Sequence, residues 1–337
     1  MKHQHKLDQM RRYISKALTA VICAATILGF VSTTARSYAQ TLNWTSPLEY
    51  TQFQLGGNEG AGVAAWYPYL YVAMTDNSGS GAIDITYTYD GTDFFPATPI
   101  NVPYPYTVDT PYNPAIAVFN NELYAAWVDN HGVVTFASST DGVNFTNVNA
   151  GCSSGSLLSA RNPSLAVFNG DLYLAFSTNS TLAVCRITSS NQTTVTDYPN
   201  IALGLPPALG VFNNTLYVAY IDTTSSHYIY LAESTNGVNF TVSNAATSNH
   251  TTTQCSLAVH NGILYIGYRQ NSSGNRFYYT YSGDGVTFSG PIEVNWTMGG
   301  SPALAVPTLQ YPSLSGHIFN VFGQNDTGHY LFTSNAP

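Results

Sequence analysis

The chain of 337 residues contains 25 tyrosines, 27 glycines and 17 prolines but only 8% charged residues, and its formal net charge is −8. Outside the first 39 residues it keeps four arginines, no lysine and seventeen acidic residues, a net charge of −13. Such a chain cannot form a basic patch that neutralises phosphates, so its composition disfavours a nucleic-acid partner and an anionic membrane surface.

The N-terminal segment has the three parts of a secretory signal peptide. Basic residues between Lys2 and Lys16 precede an apolar stretch at 17–31, and Ser37 and Ala39 put small residues at −3 and −1. The apolar stretch is shorter than the roughly 20 residues that a transmembrane helix needs. We therefore predict a signal peptide at 1–39 that is cut after Ala39, one mature domain at 40–337, an extracellular location and no integral membrane segment.

One phrase recurs through the rest of the chain, for example PAIAVFNNELYAAW at 114–127 and PALGVFNNTLYVAY at 207–220. Each copy contains an apolar run, an Asn-Asn or Asn-Gly hairpin turn, a Leu-Tyr run, an alternating aromatic run and a fourth run at Val-Asn-Phe-Thr. Four short strands repeated at this spacing are typical of a β-propeller blade, and the period-2 alternation excludes a helical repeat. Aligned on Leu-Tyr, the six copies lie at Leu70, Leu123, Leu172, Leu216, Leu264 and Ile318.

The turn between the third and fourth runs carries a short motif, Ser/Thr-x-Asp/Asn-Gly-x-x-Phe. It occurs at 88–94, 139–145, 234–240 and 282–288, and Ser189–Gln192 replace it in the third copy. An Asp or Asn side chain accepts hydrogen bonds from its own turn, glycine takes a positive φ, and the aromatic ring packs between sheets. We therefore assign a structural role to Asp90, Asp141, Asn236 and Asp284.

This motif resembles the Asp-box of the sialidase-type propellers, with one residue fewer between Asp and Gly. The resemblance covers the whole mature chain at the level of the fold and implies six blades. At the level of the active site, the chain resembles bacterial secreted propeller lectins more than active sialidases.

The two ends of the mature chain complete the count of blades. Residues 333–337 stop where a sixth Asp-box should begin, and residues 41–45 match the end of that box and its fourth strand. We therefore predict an all-β, six-bladed β-propeller with four antiparallel strands per blade, whose last blade is closed by the N-terminal strand. Such closure removes an exposed sheet edge.

Three cysteines follow the leader. Cys255 stands where the sister repeats have Pro, which predicts a buried thiol. Cys152 and Cys185 both lie near the third repeat and are the predicted disulfide pair, which export would permit. No cysteine or histidine spacing is typical of a metal site, and no feature implies a cofactor.

The loops between the second and third strands share one face of a propeller with the connections between blades. Hydrogen-bonding groups at the strand ends, aromatic rings two residues earlier and arginines in the connections would suit a sugar, whose hydroxyls bind polar groups and whose C–H faces stack on rings. Two alternatives stay open, namely that the aspartates cap strand ends and that the rings belong to the core. The candidate ligand-binding residues are Asp76, Asp129, Asp222, Gln270, Gln324, Arg161, Arg269, Trp127, Tyr220 and Tyr268.

The resemblance also implies what catalysis would require, namely an arginine triad, a Tyr/Glu pair and an acidic residue. The Arg-Ile-Pro signature is missing, and only Arg161, Arg269 and Arg276 could form a triad. A pair of carboxylates could come only from repeat-equivalent aspartates of different blades. We therefore predict a secreted, lectin-like propeller that binds glycans on its loop face and has no catalytic residue. The alternatives are a sialidase-like glycoside hydrolase and a non-catalytic protein-interaction propeller.

Overall fold

The computed structural model describes residues 41–56, 60–102, 108, 110–149, 152, 161–224, 226–243, 250–270, 274–307, 316–323 and 329–337. These residues form six antiparallel sheets of four strands each, which confirms the predicted all-β propeller. The expected signal peptide at 1–39 lies outside the described residues and stays a prediction. None of the described segments forms a helix of the length and apolarity that a bilayer crossing requires.

The strands follow one another through the blades, which we number I to VI from the first complete blade. The strand that precedes blade I is β1 (Leu48–Gln54). Blades I to V, in chain order, contain β2 (Gly62–Trp66), β3 (Tyr69–Thr75), β4 (Ile83–Thr88), β5 (Thr98–Pro99); β6 (Ala115–Phe119), β7 (Glu122–Val128), β8 (Val134–Ser139), β9 (Asn147–Asn149); β10 (Ser164–Phe168), β11 (Asp171–Thr178), β12 (Thr181–Ile187), β13 (Thr193–Ala202); β14 (Leu205–Phe212), β15 (Thr215–Ile221), β16 (Ile229–Ser234), β17 (Thr241–Ser243); and β18 (Ser256–His260), β19 (Ile263–Arg269), β20 (Arg276–Ser282), β21 (Ile292–Thr297). Blade VI contains β22 (Ala303–Ala305), β23 (Ile318–Gly323), β24 (Tyr330–Ala336) and β1.

The second strand of each blade is the core of the fold. In β3, β7 and β11 every residue after the first is buried, because neighbouring blades cover both faces of the sheet. A strand covered on both faces needs a continuous apolar run, which the Leu-Tyr phrase supplies. The outer strand β21 instead alternates half-buried and exposed residues, as one-sided packing predicts.

The N-terminal strand closes the ring, as predicted. Leu48 of β1 pairs with Thr333 and Tyr50 pairs with Leu331 in β24. The position of that strand differs from the prediction, because β1 begins at Leu48 and residues 41–45 form no strand.

Residues 41–45 occupy the place of the second half of an Asp-box turn in blade VI. The Thr45 N–H donates to the Asn335 carbonyl at 2.8 Å, just as Thr146 N–H donates to the Ser138 carbonyl at 3.1 Å in blade II. Trp44 takes the aromatic position of the motif, and its ring lies 5.5 Å from the ring of Phe277 in the neighbouring blade.

The fourth strands begin later than predicted, at the last residue of Val-Asn-Phe-Thr in blade IV and after it in blade II, so that part of the prediction was wrong. In blade II these residues are 143–146, which belong to the turn, and β9 starts at Asn147. The reason is the motif's own hydrogen bonding, because Asp141 Oδ1 accepts the N–H groups of Val143 and Asn144 at 2.9 and 2.7 Å and holds them away from the ladder.

The Leu-Tyr phrase and the Asp-box meet at the blade interfaces. The motif glycines of blades II, IV and V lie against a tyrosine of the preceding blade, and a Cβ added to Gly142 would be 2.6 Å from the Tyr71 ring. The equivalent distance from Gly237 to the Tyr173 hydroxyl is 2.2 Å. These glycines also have φ values of +79° and +72°, so position and conformation both require glycine.

Cys152 and Cys185 form a disulfide with a Cα–Cα distance of 5.5 Å. Both cysteines are fully buried in the hydrophobic cluster between blades II and III. Cys255 is buried and unpaired, and burial raises the pKa of its thiol to about 12. A thiol with so high a pKa is a poor nucleophile at neutral pH.

Candidate ligand-binding face

An amide network covers the centre of the loop face, where the inner strands begin. Asn162 Oδ1 accepts the Asn113 N–H at 3.2 Å, and Asn162 Nδ2 donates to Gln254 Oε1 at 3.2 Å. Gln254 Nε2 then donates to the Pro207 carbonyl at 2.7 Å. The network links blades II, III, IV and V through residues that immediately precede or begin their first strands.

The recess at this centre is too small to enclose a sugar ring. It has a volume of about 110 Å³ and is lined by the first residues of the inner strands, including Pro114, Ser164 and Pro302. Ligand pockets usually measure several hundred Å³, whereas this space suits a few waters. A wider adjoining space measures about 380 Å³, and the side chains that line it are apolar, including those of Val63, Val118 and Val259.

Two of the three candidate aspartates bind their own loops. Asp76 accepts hydrogen bonds from the Ser78 N–H at 3.1 Å and from the hydroxyls of Ser78 and Ser80. Asp129 Oδ1 accepts the N–H groups of His131 and Val133 at 2.9 and 2.8 Å. This geometry is that of a strand-end cap, one of the two interpretations of the sequence.

Asp222 differs from them. Its Oδ2 accepts the Thr224 hydroxyl at 2.6 Å, whereas its Oδ1 is buried and has no hydrogen-bond partner among the described residues. A buried acceptor without a partner is costly, so a ligand or water that donates to Asp222 Oδ1 would be stabilised there.

The candidate rings are in the inter-sheet core. Trp127 is 0% exposed and lies in the cluster between blades I and II. Tyr220 and Tyr268 stack on Tyr230 and Tyr278 at 5.7 and 6.1 Å, and burial raises the pKa of the Tyr220 hydroxyl to about 12. Their surroundings are those of the core interpretation.

Two of the four arginines with described positions are engaged by carboxylates. Arg186 Nε donates to Asp171 Oδ2 at 2.7 Å on blade III. Arg276 forms an ion pair with Glu293 at the outer edge of blade V. The structure therefore does not bring together the triad for which Arg161, Arg269 and Arg276 were the candidates, because Arg276 is held by Glu293 on an outer strand.

Arg269 has no carboxylate partner among the described residues. Its guanidinium donates to the Gly299 carbonyl and, at 3.1 Å, to Thr252 Oγ1, while its Nε is buried without a partner. Burial lowers the pKa of this group. It lies at the end of β19 beside the connection to blade VI, whereas Arg161 is exposed beside the amide network.

The remaining candidates are less informative. Gln270 is half-buried, and its backbone bridges to Thr251 in the connection to blade V. Gln324 lies outside the described residues. Among the residues with described positions, no three His, Cys, Asp or Glu side chains are grouped so that they could hold a metal ion.

Sequence reasoning missed one titratable residue, Asp84. It pairs with Met74 in the sheet of blade I, and burial, followed by the nearby Asp76 charge, raises the pKa of its carboxyl group. The sequence did contain a signal, because only blade I has an acidic residue here, whereas the equivalent position is Thr135 in blade II and Ala183 in blade III.

No protein-family model and no curated protein matches the chain. Among solved structures, it is similar to the subtype N10 neuraminidase-like protein of A/little yellow-shouldered bat/Guatemala/060/2010, at 9% identity over 88% of this chain and 99% of that chain, with a TM-score of 0.59. It is also similar to Trypanosoma rangeli sialidase in complex with 2,3-difluorosialic acid, at 10% identity and a TM-score of 0.60. That match covers 88% of this chain and 60% of the sialidase chain. These similarities show a sialidase-like six-bladed propeller fold, as the Asp-box resemblance predicted.

Proposed function

We propose that this protein is a secreted, lectin-like propeller that binds acidic glycans on its loop face without hydrolysing them. The main support for this proposal is Arg269, which is half-buried and whose guanidinium has no described carboxylate partner. A desolvated cation is stabilised by an anion, and a guanidinium suits carboxylates because it donates paired hydrogen bonds. A saccharide that carries a carboxylate would supply that anion.

The surroundings of Arg269 favour the same class of ligand. Thr252 and the amide network offer hydroxyl, amide and carbonyl groups, which bind sugar hydroxyls. The buried free oxygen of Asp222 adds an acceptor on the adjacent blade. The structural neighbours include a sialidase in complex with a sialic-acid derivative and a neuraminidase-like protein, and this supports an acidic sugar.

Binding fits the loop face better than hydrolysis does. Most glycosidases use two free carboxyl groups about 5 to 10 Å apart, and a sialidase-like enzyme needs at least one free carboxyl group as acid or base. Asp76 and Asp129 are instead occupied by their own loops. The small central recess also argues against an enclosed reaction centre.

Export is part of the proposal. The signal-peptide pattern supports it, and so does the Cys152–Cys185 disulfide, because disulfides persist mainly in oxidising compartments.

The test is calorimetric titration of the mature protein with sialyllactose and with oligogalacturonate, alongside the neutral parent saccharides. We expect measurable binding of at least one acidic saccharide and roughly a 10- to 100-fold loss in Arg269→Gln, the range for a charge-assisted hydrogen bond. Arg276→Gln is the matched control, because it removes an arginine that is already paired at the edge of the same blade.

Two outcomes would contradict this function. The first is no binding of any acidic saccharide by the native protein, and the second is unchanged binding in Arg269→Gln. If chromatography detects free sugar released during the titration, the hydrolase alternative is supported instead.

A further inference from the structure

The Asp-box side of blade I carries a group of partly exposed aromatic rings, which we call the blade I aromatic cluster. Its rings are linked edge to face or stacked: Tyr69 and Tyr87 are 4.9 Å apart, and Tyr87 and Phe95 are 4.4 Å apart with planes inclined by 23°. Phe95 is 37% exposed, and Tyr67 in the adjacent hairpin turn is 66% exposed. The cluster consists of Tyr69, Tyr87, Tyr89 and Phe95, together with Trp66, whose ring lies 6.0 Å from that of Tyr71.

Blade I combines rings at positions where the sister blades have at most one. Tyr87 pairs with the tyrosine of the Leu-Tyr phrase, and its position is taken by Ser138 in blade II, Glu233 in blade IV and Tyr281 in blade V. The Phe95 N–H donates across the turn to the Tyr87 carbonyl. The residues that make the equivalent bond are Thr146 in blade II and Ser289 in blade V, which donate to the carbonyls of Ser138 and Tyr281. These positions do not need rings for the blade to fold, because polar residues serve at both of them in blade II. The rings of blade I therefore require another explanation.

The cluster lies in the crevice between blades I and II. Trp66 Nε1 donates to Asn121 Oδ1 of the blade II hairpin at 3.4 Å. The blade II Asp-box turn lies against Tyr71, whose ring is 5.4 Å from that of Tyr87. The crevice thus has aromatic rings on one wall and the exposed amide and carboxylate groups of Asn121 and Asp141 on the other.

The charge around the crevice selects among ligands. Asp90, Asp93 and Asp141 belong to the two neighbouring Asp-box turns, and all four arginines of the mature chain lie at position 161 or beyond, outside blades I and II. Anionic ligands would be repelled there, whereas sugar hydroxyls donate readily to carboxylates. Rings that expose both apolar faces and phenol groups match the C–H faces and hydroxyls of a pyranose.

We propose that the blade I aromatic cluster is a second carbohydrate-binding site, which takes a neutral saccharide between blades I and II by stacking on Phe95 and its neighbours. It is distinct from the loop-face site, lies on the opposite face of the propeller and does not rest on the function proposed for Arg269. A protein with both sites would hold an acidic and a neutral saccharide at the same time, which increases avidity for a mixed polysaccharide.

The experiment uses the mature protein and four neutral probes, namely cellohexaose, xylohexaose, mannohexaose and laminarihexaose, in calorimetric titrations at millimolar concentration. We expect at least one of them to bind, and the variant Tyr87→Ser with Phe95→Thr to bind it about tenfold or more weakly, as truncation of interface rings does. Both substitutions introduce residue types that blade II has at the same positions. Tyr281→Ser is the matched control, because it removes the equivalent blade V ring, which has Ile263 and Ser289 as neighbours in place of Tyr69 and Phe95.

The outcomes separate the two proposed sites. Loss of neutral-sugar binding in the blade I variant with unchanged binding in Arg269→Gln supports the second site, whether or not the loop face binds acidic sugar. The proposal is overturned if none of the four probes binds, or if the blade I and blade V variants bind equally well. It is also overturned if sedimentation shows that the rings hold two copies of the protein together and that the blade I variant is monomeric.

Discussion

Blade III meets its two neighbours in different ways. At the interface with blade IV, Tyr173 lies under Gly237 of an Asp-box, and the Tyr198 hydroxyl donates to the Val238 carbonyl of the same turn at 2.6 Å. At the interface with blade II, the Asp-box is missing from blade III. The Tyr124 hydroxyl donates there to Asn191 Oδ1 at 3.2 Å, and the disulfide joins the two blades.

The difference shows that neighbouring blades are held together in two different ways in the same molecule. Asn191 has φ +59° without a glycine, and its turn lacks the aromatic ring that packs on the preceding sheet. The disulfide supplies at this interface the attachment that the Asp-box supplies elsewhere. The following substitutions test this equivalence.

Removal of the disulfide is expected to have the largest effect. The bridge closes a loop with a sequence separation of 33 residues, for which loop-closure entropy predicts a loss of about 3 to 4 kcal/mol in unfolding free energy. The variant is Cys152→Ala with Cys185→Ala, measured by urea denaturation. The control, Cys255→Ala, keeps the bridge and should cost about 1 kcal/mol. Equal midpoints for the double variant and the native protein would show that the disulfide does not support this interface.

Gly237→Ala tests the other interface. Its Cβ would meet the Tyr173 hydroxyl at 2.2 Å in a backbone with φ +72°, so we expect a loss of about 2 to 4 kcal/mol. Gly170→Ala is the matched control, because Gly170 has φ +80° and open space around the added Cβ. The Gly170→Ala variant should lose only the unfolding free energy that a positive φ costs an alanine, about 1 to 2 kcal/mol. Thermal unfolding of both variants measures the steric part as their difference, and equal losses would contradict the Tyr-Gly contact.

The smallest expected effect is on the stability of the fold at acidic pH. Three N–H and O–H groups, led by the Thr287 N–H, donate to Asp284 Oδ1 and lower the pKa of that carboxyl group to about 2. The usual value is about 3.9, so the unfolded chain takes up this proton first as the pH falls. The stabilisation is therefore complete above about pH 4 and is lost as the pH falls towards 2.

Asn236 provides the comparison, because it accepts equivalent bonds from Val238 and Asn239 at 2.9 Å without a titrating group. Asp284→Asn should therefore flatten the dependence of stability on pH between about 4 and 2 and leave stability at pH 7 nearly unchanged. Chemical denaturation at pH 2.5, 4 and 7 measures this. An unchanged slope between pH 4 and 2.5 would refute the assignment to Asp284.

Much of the fold could be predicted because its signals are local and repeated. The Leu-Tyr phrase, the Asn-Gly turn and the Asp-box each act over a few residues, and their recurrence predicted six blades and a ring closed by the N-terminal strand. The start of the fourth strands was harder to place, because in blade II the bonds from Val143 and Asn144 to Asp141 compete with strand pairing.

The candidate face was only partly predictable. Whether an aspartate at a strand end caps its loop or remains available depends on a few atoms, and Asp129 and Asp222 differ in this respect although they hold equivalent repeat positions. The rings of Tyr87 and Phe95 were visible in the sequence, but their stacking depends on a hairpin that brings the two side chains together.

The sequence by itself determined the architecture, since strand periodicity, turn chemistry and repeat spacing are properties of neighbouring residues. Only the tertiary structure decided which groups are free to bind. Burial and hydrogen-bond partners come from other blades, as for Arg269, whose guanidinium donates to the Gly299 carbonyl, thirty positions away in sequence, and has no described carboxylate within reach. Burial removes water from such a group, and the resulting need for a partner distinguishes a candidate binding residue from a repeat position of the same type.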